Sequence, residues 1–281
     1  MFKTVKDRVW AFDAEWIPDP AAGKLLYDLP DNTPDLDVVR RMWKEGGATE
    51  EDPTPYLKTV VCRIVSVAAV DRFESGRKAK LHLLSLPRDL DDPEQVSEKS
   101  IVGTFLDKVG KYKPQLVGFN STSADLKAFI QRAVILGIQA REFCRRPNKP
   151  WEGDDYFDSR NSEASIDIKD IISGWGKATP SLNEISTLSG IPGKLEIDGE
   201  KVAFLWLDGK LDEIVAYNEF DALTTYLVWL RVAHFGGHFT SAEYQTEQQL
   251  LRELIQSEID NGKVHLKKYL EQWDRLKEIV K

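Results

Sequence analysis

The order of extended and helical segments predicts an α/β domain in which a mixed five-stranded sheet, three of its strands antiparallel, is flanked by helices. Three observations predict it. Three apolar, β-branched runs follow one another early in the chain, two shorter apolar runs later lead straight into helical patterns, and an uninterrupted helical pattern covers 210–235. The 281 residues, 42% hydrophobic and 30% charged, suit one large globular domain or one domain with an appendage, and no internal repeat interrupts them.

The first run, Val9-Trp10-Ala11-Phe12-Asp13-Ala14-Glu15-Trp16, is a strand that ends by presenting two carboxylates. Side chains two apart in an extended chain share a face, so Asp13 and Glu15 project together. Residues 17–56, rich in Pro, Gly, Asp and Glu with a short helix around 36–43, read as an insertion at the rim, of a kind that either lines a substrate or covers surface. Residues 59–70 are almost continuously apolar, as a central strand requires, and 80–86 form its neighbour across a polar turn at 74–77. A helical pattern covers 93–112, with Ile101, Phe105, Leu106 and Val109 on its apolar side.

Residues 114–120 form a short buried strand running into a turn, where Ser121, Thr122 and Ser123 offer N-caps for a helix over 125–136. Asp125 then stands in a first helical turn at a strand end, where open α/β sheets collect ligands. The polar region 141–160 wraps the surface, and its Arg141, Arg145, Arg146 and Lys149 either track phosphates or belong to a solvated loop. A last strand is expected at 165–168, a helix at 181–188 capped by Ser181 and ended by Gly190, and a hairpin or irregular loop at 193–207. The long helix over 210–235 closes at Gly236-Gly237. The remaining 241–281 is charged and helical in period, with Leu251, Ile255, Tyr269 and Trp273 in an apolar stripe that packs on the core or on a second subunit. The expected organisation is a domain over 1–240 with a rim insertion at about 17–57, and a C-terminal helical extension over 241–281.

Composition excludes several classes. No window is long and apolar enough to cross a bilayer, and the N-terminus lacks the apolar block of a signal peptide, so the expected partners include no membrane and the expected address is cytoplasmic. Cys62 and Cys144 suggest neither a disulfide framework nor a thiolate zinc site. A net charge of −8 argues against coating nucleic acid through a broad basic surface, but an enzyme that grips a few terminal nucleotides needs only local basic groups.

Within the long helix, Ala216-Tyr217-Asn218-Glu219-Phe220-Asp221 puts Tyr217 and Asp221 four apart, on one helical face. Taken in order, the chain shows Asp-x-Glu on an early strand, Asn-x-x-x-x-Asp at a strand–helix junction, and Tyr-x-x-x-Asp on a late helix. This resembles the tyrosine-bearing (DEDDy) branch of the DEDD superfamily of 3′–5′ exonucleases. More closely it is similar to the predicted exonucleases related to the proofreading domain of family B DNA polymerases, over roughly residues 8–235.

The resemblance implies an RNase H-like fold. It makes Asp13, Glu15, Asp125 and Asp221 the metal-binding acids of a two-ion Mg²⁺ or Mn²⁺ site, with Asp13 bridging both ions and Tyr217 orienting the attacking water. It implies a nucleic acid 3′ end as partner, DNA favoured over RNA, with Asn120 holding the backbone of the terminal nucleotides; Trp16, adjacent to Glu15, either stacks on a splayed base or is buried in the core. A homo-oligomer or a partner protein on the C-terminal helices is a further expectation. Two departures stand out: relatives place an aromatic where this chain has Ala124, which bears on how the penultimate base is held, and His-x-Asp where it has Ser165-Ile166-Asp167. The expected activity is metal-dependent 3′–5′ hydrolysis of phosphodiesters, probed against two alternatives, an exoribonuclease and a catalytically silent nucleic-acid-binding adaptor.

Overall fold

The computed structural model describes residues 1–279 other than 77, 150, 151, 159, 160, 194 and 196–198. Five strands, β1 (Arg8–Pro18), β2 (Cys62–Ser75), β3 (Lys78–Leu86), β4 (Gln115–Gly118) and β5 (Ser165–Asp167), form one sheet in the order β3-β2-β1-β4-β5. β1, β2 and β3 pair antiparallel, whereas β4 and β5 extend the sheet parallel to β1. This mixed sheet flanked by helices is the RNase H-like arrangement expected.

Alternation along β1 sorts its side chains between the two faces. Trp10, Phe12 and Ala14 pack into a core with α3 (Glu98–Tyr112) and α4 (Asp125–Ile135). Val9 and Ala11 face the opposite way, into a core shared with α8 (Leu211–Phe235) and the C-terminal helices α9 (Ser241–Asp260) and α10 (Leu266–Ile279). Asp13 and Glu15 continue the row of Val9 and Ala11, so the period of two aims both carboxylates at α8.

α8 is apolar almost all round because it is covered on both sides, by the sheet beneath and by α9 and α10 above. The stripe of α9 and α10 is therefore spent inside the chain: Leu251, Ile255, Tyr269 and Trp273 are all buried against α8, and that face is not open to a second subunit. Polar groups lock the same contact. Glu247 of α9 accepts from Arg72 of β2 at 2.7 Å and from the Tyr226 hydroxyl at 2.7 Å, all three being buried. At the other end of the hairpin, Lys263 and His265 reach the buried Glu219 of α8 at 2.6 and 2.7 Å, and Ser85 donates to the same carboxylate.

The insertion after β1 carries two helices rather than one, α1 (Pro20–Leu26) and α2 (Asp35–Glu45). Asp19 caps α1 and also accepts from Arg132 at 2.8 Å; Arg132 pairs in turn with Glu98 at 2.6 Å, so a buried ionic chain pins the root of the insertion to α3 and α4. α2 then packs its Val38, Val39, Met42 and Trp43 against α7 (Gly199–Leu207) and the first turns of α8, forming a third small core.

Other boundaries moved. The segment expected as a hairpin or loop at 193–207 is the helix α7 from Gly199 onward. The helix expected from 93 begins at Glu98, where Ser97 supplies the cap. Strand β5 gives way at once to α5 (Ile168–Ile172), and α6 (Leu182–Leu188) carries the expected Ser181 cap as a capping box with Glu184. No helix among the described residues is long and apolar enough to cross a membrane.

Candidate active site

The carboxylates of Asp13 and Glu15 meet α8 where Asp221 faces the sheet, and one ligand oxygen from each of the three lies within 4.8 Å of the others. Two periodicities produce this meeting. Period two along β1 puts positions 13 and 15 on the helix-facing side, and the 3.6-residue turn of α8 puts 217, 218 and 221 on the sheet-facing side. A register shift between Glu15 and Trp16, where β2 carries an extra residue, ends the regular ladder just past the acids.

Asp125 arrives from the other face. It opens α4, and the backbone N–H of Ala14, between the two β1 acids, donates to its carboxylate. Burial pushes the Asp125 carboxyl up to about 7, with Asp167 adding a smaller upward push. Asp125 stands outside the 4.8 Å triplet but is close enough for its charge to bear on Asp13. Asp13 itself is raised well above the carboxylate range, first by burial and then by Asp125, Glu15 and Asp221; the amide of Asn218 partly offsets this. Half-buried carboxylates of one sign repel one another, and a hard divalent cation, which prefers oxygen ligands, relieves that repulsion. The all-carboxylate donor set thus fits Mg²⁺ or Mn²⁺ and does not suit a soft metal.

The Tyr217 ring sits in the third core with Met42, Trp43 and Val202, only 4% exposed, while its hydroxyl hydrogen-bonds Asp221. Burial and the surrounding acids push its pKa far up, so the group stays protonated and donates. The four acids line a cavity of about 770 Å³ together with Trp16 and Asn120. Its walls include Trp43 and Tyr56 from the insertion and Phe119 from the loop after β4. Trp16 is half-buried and its indole donates to the Tyr56 hydroxyl, which leaves Tyr56 72% exposed at the mouth.

Several expectations are corrected in detail. Ser121, Thr122 and Ser123 do not cap α4, whose N-cap is Ala124 with no side-chain bond. Instead Asp167 accepts from the backbone N–H groups of Asn120 (2.8 Å) and Thr122 (3.0 Å), making it the brace of this loop. That brace supports Asn120 in a left-handed conformation (φ 67°), with its side-chain oxygen accepting from Lys169 at 3.0 Å. Gly118 is required just before it, because an added Cβ would meet the Ser121 side chain at 2.4 Å. Arg145, Arg146 and Lys149 pair with Glu142, Asp155 and Glu152 at 3.6, 2.9 and 2.8 Å, so these cations are engaged locally.

Three aromatics and one amide escape sequence reasoning: Trp43, Tyr56, Phe119 and Asn218. For the first two the signal was an insertion following a ligand-bearing strand. For Asn218 it was a polar residue beside Tyr217 on a helix side that must be buried.

The family described as a predicted 3′–5′ exonuclease related to the exonuclease domain of PolB matches residues 54–273, a span that contains Asp125, Tyr217 and Asp221 and begins after Asp13 and Glu15. No curated protein matches the chain. Among solved structures, the family B DNA polymerase from the hyperthermophilic archaeon Pyrobaculum calidifontis is similar at 17% identity and a TM-score of 0.46, over 80% of this chain. The chain spans 25% of the length of that polymerase.

Proposed function

Because the chain belongs to the family of predicted 3′–5′ exonucleases related to the exonuclease domain of PolB, we propose that it removes nucleotides stepwise from the 3′ end of single-stranded DNA, using two divalent ions, Mg²⁺ or Mn²⁺. The observation that carries the reading is the meeting of Asp13, Glu15 and Asp221 within 4.8 Å on an aromatic-walled cavity. A phosphodiester resists attack because its oxygens are negatively charged, so hydrolysis needs an activated nucleophile and neutralisation at the leaving oxygen. When bound, the ions supply both, by acidifying the attacking water and stabilising the departing 3′ oxygen.

The chain's own residues do the rest. Asp13, Glu15, Asp125 and Asp221 hold the ions. Tyr217 keeps its proton, donates its hydroxyl to Asp221 and orients the water through the lone pairs of the same oxygen rather than acting as a base. Trp16 and Tyr56 offer stacking faces for a splayed base, worth about 1–3 kcal/mol per base without regard to sequence, which suits an enzyme that must accept every terminus. Asn120 holds the backbone of the terminal nucleotides. Residues 1–240 form the catalytic unit, with the insertion as cavity wall, and α9 and α10 of the C-terminal extension brace the helix that carries Tyr217 and Asp221. The choice of DNA rests on kinship with a proofreading domain.

Matched 5′-labelled single strands of DNA and RNA test the assignment. With Mn²⁺ the expected result is a ladder shortened from the 3′ end, faster on DNA, and no shortening in EDTA. A faster ladder on RNA would make the protein an exoribonuclease, and a gel shift without any shortening would make it a silent adaptor.

A further inference from the structure

Asn218 stands beside the acids without being one of them. Its side chain is fully buried, its Nδ2 donates to Oδ2 of Asp13 at 2.8 Å, and its Oδ1 accepts from the Ser66 hydroxyl at 3.2 Å. Ser66 is also fully buried and lies directly opposite Glu15 in the β1–β2 pairing, so it shares the sheet face that carries the acids. These two partners fix which way the amide points. Turned over, it would set its own oxygen against the Asp13 carboxylate; as placed, each end meets a group of matching polarity.

We infer that Asn218 is a positioning residue for Asp13, with Ser66 as its support, and that together they hold the carboxylate in the geometry that accepts a divalent ion. The inference rests on the exonuclease reading given above. A neutral donor is what this place requires. A lysine or arginine would also pin Asp13, but it would cancel the charge that attracts the ion. The amide engages one oxygen and leaves the carboxylate's charge uncompensated for the metal. One turn of α8 thereby treats two acids alike, the Tyr217 hydroxyl donating to Asp221 and the Asn218 amide to Asp13. Groups that orient metal ligands through hydrogen bonds typically change ion affinity or activity about 10- to 100-fold when removed.

The full-length wild type, Asn218→Ala and Ser66→Ala are compared by calorimetric titration with Mn²⁺ alone, by apo melting in EDTA, and by release of nucleotides from labelled single-stranded DNA. Asn218→Ala is expected to bind Mn²⁺ about 10- to 100-fold more weakly. Ser66→Ala, which removes one hydroxyl and little volume, shifts affinity in the same direction by a smaller factor and decides the matter should Asn218→Ala fail to fold. Variants that melt lower in EDTA yet bind Mn²⁺ as wild type does would reduce both residues to core polar contacts and overturn the inference alone. A wild type that neither binds Mn²⁺ nor shortens DNA would overturn the exonuclease reading and this inference with it.

Discussion

Asp13→Ala is expected to reduce Mn²⁺-dependent release of mononucleotides by about 10³-fold, the upper range for loss of one electrostatic anchor from a reaction centre. Asp13 is the acid on which all the others bear: Asp125, Glu15 and Asp221 each raise its pKa, and Asn218 alone among the named groups lowers it. The same crowding predicts the opposite sign for stability. Asp13→Asn keeps an acceptor for Asn218 while removing one of several mutually repelling charges, so in EDTA it is expected to melt no lower than wild type, and higher as pH rises and the carboxyls ionise. A variant both inactive and destabilised would place Asp13 in a structural role. Tyr217→Phe deletes the donor to Asp221 and the oxygen that orients the water but leaves all four acids in place, and is expected to slow release less than Asp13→Ala; equal losses would make the hydroxyl as indispensable as the acid.

Glu247→Ala carries the largest expected cost to folding. Its carboxylate accepts from Arg72 at 2.7 Å and from Tyr226 at 2.7 Å inside the core between β2, α8 and α9. Removing it leaves a buried guanidinium with Glu74, itself on the half-exposed side, as the acid that remains within 2.9 Å. Breaking a buried pair from one side costs about 3–5 kcal/mol, more than exchanging both partners for apolar groups. Urea unfolding would measure it, and a loss below about 1 kcal/mol, the level of a surface pair, would show that the C-terminal hairpin is not part of this core. Glu247→Gln keeps the shape and one acceptor oxygen but loses the charge and the second acceptor, and its cost should fall between that of a surface pair and that of Glu247→Ala.

How much of this is legible in the chain follows from which forces are local. β1 announces itself by alternating over 11 residues and α8 by running 25 residues without a glycine or proline before Gly236, and the periods of 2 and 3.6 within them place Asp13, Glu15, Tyr217 and Asp221 on facing surfaces. α1 is not legible, although Asp19-Pro20 is a sound helix start, because Gly23 disfavours a helix on its own. The glycine is there for packing: a Cβ at that point would meet Val38 at 2.5 Å and the Met42 side chain at 2.7 Å. α7 is hidden for a related reason, its Phe204-Leu205-Trp206-Leu207 run fitting strand or helix until the fold brings Trp43 against it, the Phe204 ring lying tilted 5.3 Å away. The cap of α4 fails at Ser121, Thr122 and Ser123 because Asp167, more than 40 residues away, already holds the backbone groups of that loop. Asn218 belongs with these: its identity is readable, but its duty is set by Ser66 and Asp13, which only the folded sheet brings to it.

The claim on which the rest depends is that acids from β1, α4 and α8 form one ion site. A crystal soaked in Mn²⁺ and measured at the manganese absorption edge tests it directly. Two anomalous peaks are expected in the cavity, both in contact with Asp13 and sharing Glu15, Asp125 and Asp221 between them. Peaks elsewhere, or none beside Asp13 at a Mn²⁺ concentration that supports digestion of DNA, would contradict it.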